Sequence, residues 1–248
     1  MKLSRRHLIR GGLAAPLALA SSHALADTLE EQCKRELLPH LDFPQLSKYR
    51  DDNARLLQSK APVDVVFLGD SITEGWKDKR PGFFTTGRIG RGISGQTTPQ
   101  MVLRMMADVV ALRPDAVHIM AGTNDVAGNT GPMTQQMSED NFRMMSDISR
   151  AHGIKVLVAS IPPAGSFPWR PGLETRRPIA ALNKWLKSFA AATGATWVDY
   201  HRVLDDGTGA MKPGMAHDGV HPTEAGYDAM ATIIEPILSR TLRHAHHA

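Results

Sequence analysis

The sequence predicts an α/β protein, a parallel sheet with helices on both faces. Three observations carry this. Short unbroken runs rich in Val and Ile recur along the chain, as strands buried on both faces require. Segments with helical spacing alternate with them. The composition, 42% hydrophobic and 22% charged over 248 residues, is that of a globular chain long enough for a proper core. It excludes a disordered, collagen-like or disulfide-stapled protein.

The first 26 residues read as an address. Ser4-Arg5-Arg6-His7-Leu8-Ile9-Arg10 sets paired arginines before a short apolar run, Leu13 to Ala20, and Ala24-Leu25-Ala26 forms an A-x-A-like cleavage site. The pattern resembles a twin-arginine export signal, with Leu8 and Ile9 in place of the usual Phe and Leu. It implies the twin-arginine export machinery as a partner and a periplasmic or secreted mature chain. The apolar run is too short to span a bilayer, and no later segment reaches about 18 uninterrupted apolar residues, so no stable membrane anchor is expected. The net charge of +4 lies wholly in this stretch, at Lys2, Arg5, Arg6 and Arg10. Beyond Ala26, 25 basic residues face 25 acidic ones, and the neutral body gives no electrostatic reason to bind nucleic acid. The single cysteine, Cys33, cannot close an internal disulfide or make a zinc site alone.

Residues 27–61 read as a polar helical arm, broken by Pro39 and Pro44. Strands follow at Val63–Leu68 and, more weakly, Gly87–Gly90. Further strands are expected at Asp115–Ala121, Ile154–Ile161 and Ala195–Asp199. Helices are expected over residues 98–112, 134–152, 174–193 and 222–243. Met101, Met105, Met137, Met144 and Met145 fall at helical spacings and read as core. No repeat or linker divides residues 62–248, which are expected to form one domain.

Chemistry in such folds gathers beyond the carboxyl ends of the strands. Gly69-Asp70-Ser71-Ile72-Thr73 follows the first strand, and Gly122-Thr123-Asn124-Asp125 follows the third. Asp218-Gly219-Val220-His221-Pro222 precedes the last helix. A serine hydroxyl is a weak nucleophile until a base takes its proton, which a neutral imidazole does near pH 7. Pro222 suits the first position of the last helix, which would put His221 at its N-cap, where the positive helix end keeps the ring unprotonated. Asp218 can reach back to the other ring nitrogen. The backbone N–H groups of Ser71 and Gly95 and the side-chain amide of Asn124 can serve a tetrahedral oxyanion.

Over residues 62–240 these blocks, together with Gly92-Ile93-Ser94-Gly95-Gln96-Thr97-Thr98, resemble the SGNH hydrolases, the GDSL esterase/lipase family. Ile72 stands where the name-giving motif has Leu. The resemblance implies a flavodoxin-like, three-layer α/β/α fold with no metal or organic cofactor. It implies a nucleophile at Ser71, a base at His221 oriented by Asp218, and an oxyanion hole of Ser71, Gly95 and Asn124. Thr73 excludes the G-x-S-x-G elbow of the α/β-hydrolases.

Two rival motifs weigh less. Gly90-Arg91-Gly92-Ile93-Ser94-Gly95 spells G-x-G-x-x-G, but it follows the wrong strand and lacks the acid at the next strand's end. His217, Asp218 and His221 could meet a metal only on a helix that Gly219 and Pro222 prevent. His244, His246 and His247 read as a solvated tail. For substrate contact the sequence offers Phe167 and Trp169, in a loop with prolines at 162, 163, 168 and 171, and Trp76 just after the nucleophile. Arg88, Arg91 and Arg170 are candidates to meet an anionic leaving group. The expected substrate is a short-chain acyl ester, acetyl foremost, on a carbohydrate or other small molecule. A lysophospholipase or thioesterase with a longer acyl pocket, and a non-catalytic carbohydrate-binding relative, are the alternatives.

Overall fold

A computed structural model describes residue 31, residues 41–85 and residues 87–243. The export-signal stretch, Cys33 and the tail histidines lie outside the described residues. The compact unit that holds the sheet begins at Pro44, and residues 1–43 form a separate unit. The expected arm is therefore divided: its last part, with helix α1 (Arg50–Ser59), belongs to the sheet unit.

The sheet unit alternates strand and helix from end to end. After α1 come β1 (Val65–Gly69), α2 (Ser71–Lys79), β2 (Arg88–Gly92) and α3 (Thr98–Asp108). Next come β3 (Ala116–Met120), α4 (Thr123–Ala127), α5 (Gln135–Ala151) and β4 (Lys155–Ala159). The chain continues through α6 (Arg176–Thr193), β5 (Thr196–Val198), α7 (His201–Leu204) and α8 (Glu224–Arg243). All strand pairs are parallel, in the order β2-β1-β3-β4-β5. The expected three-layer α/β/α architecture is the one observed.

Alternation along each strand builds two cores. Val66 and Leu68 of β1, Val117 and Ile119 of β3, and Val156 and Val158 of β4 face one side. There they meet Met101 and Met105 of α3, Phe142 and Met145 of α5, and Ile179, Leu182 and Leu186 of α6. Val65 and Phe67, Ala116 and Met120, and Leu157 and Ala159 face the other side, against Ile72 and Trp76 of α2 and Tyr227, Met230, Ile234 and Leu238 of α8. Burying each such large aliphatic or aromatic side chain is worth about 1.5–3 kcal/mol, so both helix layers are held by their apolar stripes. Met137 and Met144, expected in the core, are exposed instead, because they lie on the outer side of α5.

Polar contacts sew α1 to the sheet. The Arg91 guanidinium is fully buried. It donates to Asn53 Oδ1 at 2.9 and 2.7 Å, pairs with Asp52 at 2.9 Å and lies 4.6 Å over the Tyr49 ring. Asn53 Nδ2 donates to Asp108 at 2.7 Å, and Asp108 accepts from Arg104 at 3.0 Å. Arg104, also fully buried, donates to Gly69 O at 2.9 Å and to Gln96 Oε1 at 2.7 Å. Removing one partner of a buried pair like Arg104–Asp108 costs about 3–5 kcal/mol. Arg104 thereby ties the end of β1 to the loop after β2. Arg91 is not free to meet a leaving group, and neither is Arg88, whose guanidinium pairs with both oxygens of Glu235 at 2.7 and 2.8 Å.

The strand order reverses between β1 and β3, so the crevice of this sheet lies beyond their carboxyl ends. The chain segments that leave β1 and β3 there begin with Asp70-Ser71 and with Thr123-Asn124.

Candidate active site

Ser71 is the first residue of α2. The helix is capped by Asp70, whose Oδ1 accepts the Ile72 N–H at 2.9 Å, so the Ser71 hydroxyl takes no part in capping. Ser71 Oγ lies 2.9 Å from His221 Nε2, and His221 Nδ1 lies 2.7 Å from Asp218 Oδ2. The second Asp218 oxygen accepts the N–H groups of Val220 and His221 at 3.0 and 2.8 Å. Gly219, at φ +86°, makes the tight turn that lets one carboxylate hold both the ring and the backbone of residue 221. Burial pushes the Asp218 carboxyl upward, but the His221 backbone N–H, the His221 ring and the Val220 N–H outweigh it, and the group stays ionised below the usual range.

The helix entry differs from the expectation. α8 starts at Glu224, and its cap is Thr223, whose Oγ1 accepts the Gly226 N–H at 3.2 Å. Pro222 instead pairs with Ala216 in an isolated β-bridge. His221 is therefore not the N-cap, and its ring is oriented by Asp218 rather than by the helix end.

The other two blocks converge on the same place. Asn124 is buried, and its Nδ2 donates to Gln96 O at 3.0 Å. Gly95 takes φ +78°, and a Cβ there would meet nothing within 4 Å, so it faces open space. The loop before Gly95 is anchored by Glu74 of α2, whose Oε2 accepts the Ser94 N–H at 2.8 Å and the Ser94 hydroxyl at 2.6 Å. Lys48 pairs with the other Glu74 oxygen at 2.8 Å. Asp125 is structural. It accepts the Thr98 N–H at 2.8 Å, the Thr98 hydroxyl at 2.5 Å and the Ser138 hydroxyl at 2.7 Å, stapling α3 and α5 to α4. Glu74 did not stand out in the sequence, and Ser94 did so only as part of the block around Gly95.

The aromatic candidates separate. Trp76 is fully buried, stacked between Phe83 at 4.6 Å and Tyr227 at 5.6 Å, and cannot meet substrate. As the fifth residue after Asp70-Ser71 it sits on the core stripe of α2. Phe167 is buried too, beneath Trp169, with ring centroids 5.1 Å apart. Trp169 keeps an exposed side, and its centroid is 6.0 Å from that of His221. Arg170 donates to Gly128 O at 3.2 Å. Among the described residues, no three His, Cys, Asp or Glu side chains gather as a metal site would need.

Asp70 is a further titratable group beside the site. It is buried, and burial pushes its carboxyl up to about 6 against the pull of the Ile72 N–H and of His221. A carboxyl raised in the folded state stabilises the fold below its unfolded pKa and loses that contribution as pH rises through about 6. Asp70→Asn keeps the cap acceptor without the charge. Its melting temperature, relative to the unchanged protein, should therefore be several degrees more favourable at pH 8 than at pH 4. Differential scanning calorimetry at the two pH values checks this, and an equal offset at both would refute it.

A hydroxyl, an imidazole and a carboxylate lie in line at the carboxyl end of a parallel sheet, an arrangement of the kind acyl-transfer hydrolases use. The chain belongs to the GDSL-like Lipase/Acylhydrolase family, whose profile matches residues 67–229. Its fold and family are those of a carboxylic ester hydrolase. The crystal structure of a GDSL-like lipase from Bacteroides thetaiotaomicron is similar at 41% identity and a TM-score of 0.77, covering 81% of this chain and all of that one. Among curated proteins, the lipoprotein YqeF of Bacillus subtilis is 36% identical over 40% of this chain and 49% of its own length. The acetylxylan esterase of Geobacillus stearothermophilus is 26% identical over 67% of this chain and 90% of its own length. This chain thus spans about half of the first relative and most of the second. Among the described residues, no helix is long and apolar enough to cross a membrane.

Proposed function

We propose that this protein is an exported serine esterase that removes short acyl groups, acetyl foremost, from carbohydrate or other small-molecule esters. The observation that carries the reading is the contact chain Ser71 Oγ–His221 Nε2 at 2.9 Å and His221 Nδ1–Asp218 Oδ2 at 2.7 Å. In the first half-reaction, Ser71 Oγ attacks the ester carbonyl while His221 Nε2 takes its proton. Asp218 holds the Nδ1–H tautomer and stabilises the imidazolium. The negative oxygen of the tetrahedral intermediate receives the N–H groups of Ser71 and Gly95 and the Asn124 amide. His221 returns the proton to the leaving alcohol, leaving an acyl-enzyme. A water then attacks it through the same two steps in reverse order, freeing the carboxylic acid and the serine.

Two observations support the substrate class. The Geobacillus relative is an acetylxylan esterase. The exposed side of Trp169 beside His221 offers a flat apolar surface of the kind a sugar ring stacks on. The twin-arginine pattern and the A-x-A site support export through that machinery to the periplasm or beyond. Hydrolysis rates on p-nitrophenyl acetate, octanoate and palmitate test the acyl class. The acetate ester should give the highest kcat/KM, and a higher value on palmitate would replace this reading with a long-chain acylhydrolase.

A further inference from the structure

Asn129, the second residue after the end of α4, touches every part of the oxyanion machinery except Ser71. Its backbone N–H donates to Asn124 O at 3.1 Å. Its side-chain Nδ2 donates to Asn124 Oδ1 at 2.7 Å and approaches Gly95 O at 3.4 Å. Its Oδ1 accepts the Trp169 indole N–H at 3.1 Å. These contacts form one chain: Trp169 Nε1–H to Asn129 Oδ1, Asn129 Nδ2–H to Asn124 Oδ1, and Asn124 Nδ2–H to Gln96 O at 3.0 Å.

The two ends of this chain fix its direction. An indole nitrogen only donates, and a backbone carbonyl only accepts. Turning either amide over would set donor against donor on one side and acceptor against acceptor on the other. Each link also polarises the next, which strengthens the series. The second hydrogen on Asn124 Nδ2 is left with Asp70 Oδ2, a long contact of 3.5 Å, as its protein partner. That hydrogen is the one an oxyanion can claim. The loop bearing Trp169 is itself held over this corner, because Arg170 donates to Gly128 O and Phe167 stacks beneath the indole.

We infer that Asn129 is a positioning residue, which, braced by Trp169, locks the Asn124 amide with its nitrogen toward the oxyanion. The inference rests on the reading of Asn124 as an oxyanion donor. Asn129 lies at the exposed rim, so its substitution should leave the fold and melting temperature nearly unchanged.

Two substitutions separate positioning from bulk. Asn129→Ala removes the lock. Asn129→Asp keeps the shape and the acceptor for Trp169 but cannot donate to Asn124 Oδ1, so it draws the Asn124 nitrogen away from the site. With p-nitrophenyl acetate, kcat should fall about 10-fold for the alanine variant and about 100-fold for the aspartate variant, with KM within about 3-fold. Trp169→Phe keeps the stack and removes only the indole donor. It should lower kcat by less than either, and in the Asn129→Ala background it should add nothing, the mark of two residues acting in one chain. A wild-type kcat in Asn129→Asp would overturn the inference. So would a change confined to KM, or Trp169 and Asn129 effects that simply multiply. A fluorescent organophosphonate separates the two readings. It should label wild-type protein at Ser71 with one equivalent; no labelling there sinks the catalytic reading itself, whereas labelling together with an unaffected Asn129→Asp sinks only the relay.

Discussion

Ser71→Ala should lower kcat on p-nitrophenyl acetate by about 10³-fold or more while leaving the protein folded. The structure says why the two effects part. Ser71 opens α2, but the cap is Asp70, and the Ser71 hydroxyl meets His221 Nε2. Loss of the hydroxyl removes no helix contact, and the Asp70 cap is untouched. The backbone N–H at residue 71 also remains, so one oxyanion donor is kept. The residual rate should therefore exceed that of water alone, because oxyanion binding and substrate positioning survive the loss of the nucleophile. Steady-state kinetics beside a thermal melt checks both halves. A variant within about 10-fold of the wild-type rate would move the nucleophile elsewhere.

The parts of this molecule that the sequence makes legible are those where burial leaves a periodic mark. β1, β3 and β4 are covered on both faces, so their runs contain almost nothing but apolar residues; β3 and β4 lie inside their expected segments, and β1 runs one residue past its own, to Gly69. β2 is harder to see. It is an edge strand with Gly90 and Gly92, and its Arg91 is buried on polar partners rather than apolar ones. The expected helix at 98–112 is in fact α3 followed by a short 3-10 turn, Val110–Leu112, because Val109 leaves helical geometry and Arg113 takes φ +51°. α2 was not expected at all, since only Ile72, Thr73 and Trp76 of its nine residues are buried.

The candidate site divides the same way. Ser71, Asn124, Asp218 and His221 are legible because each lies in a short block of distinctive chemistry at a strand end or helix entry. Residues that act through their neighbours leave no such trace. Glu74, Asn129 and Arg104 are single polar residues in unremarkable surroundings, and only coordinates show that they hold Ser94, Asn124 and Gln96. Local rules also compete. The rule that proline favours the first helical turn points to Pro222, yet Pro222 closes a bridge with Ala216, and Thr223, a better cap, starts the helix two residues on. Trp76 shows the reverse error: proximity to the nucleophile in sequence suggested a substrate contact, while the helical period of α2 turns its ring into the core.

His221→Ala should remove as much activity as Ser71→Ala, about 10³-fold or more, and combining the two should cost little beyond either alone. In each half-reaction the imidazole first takes a proton from the attacking oxygen, of Ser71 or of water, and then returns it to the leaving one. Without the ring, the Ser71 hydroxyl has no acceptor for its proton, so its presence contributes almost nothing. The fold again should not suffer. The Asp218 carboxylate keeps the backbone N–H groups of Val220 and of residue 221, so the turn that ends in Pro222 stays closed. The side chains of His221 and Asp218 are each about one-third exposed, 34% and 38%, and the carboxylate oxygen freed from the ring can be met by water. Kinetics on the two single variants and the double variant, with melting curves for all three, test the claim. Losses that multiply to about 10⁶-fold would mean that serine and histidine work independently, and the contact at 2.9 Å would then have no part in the chemistry.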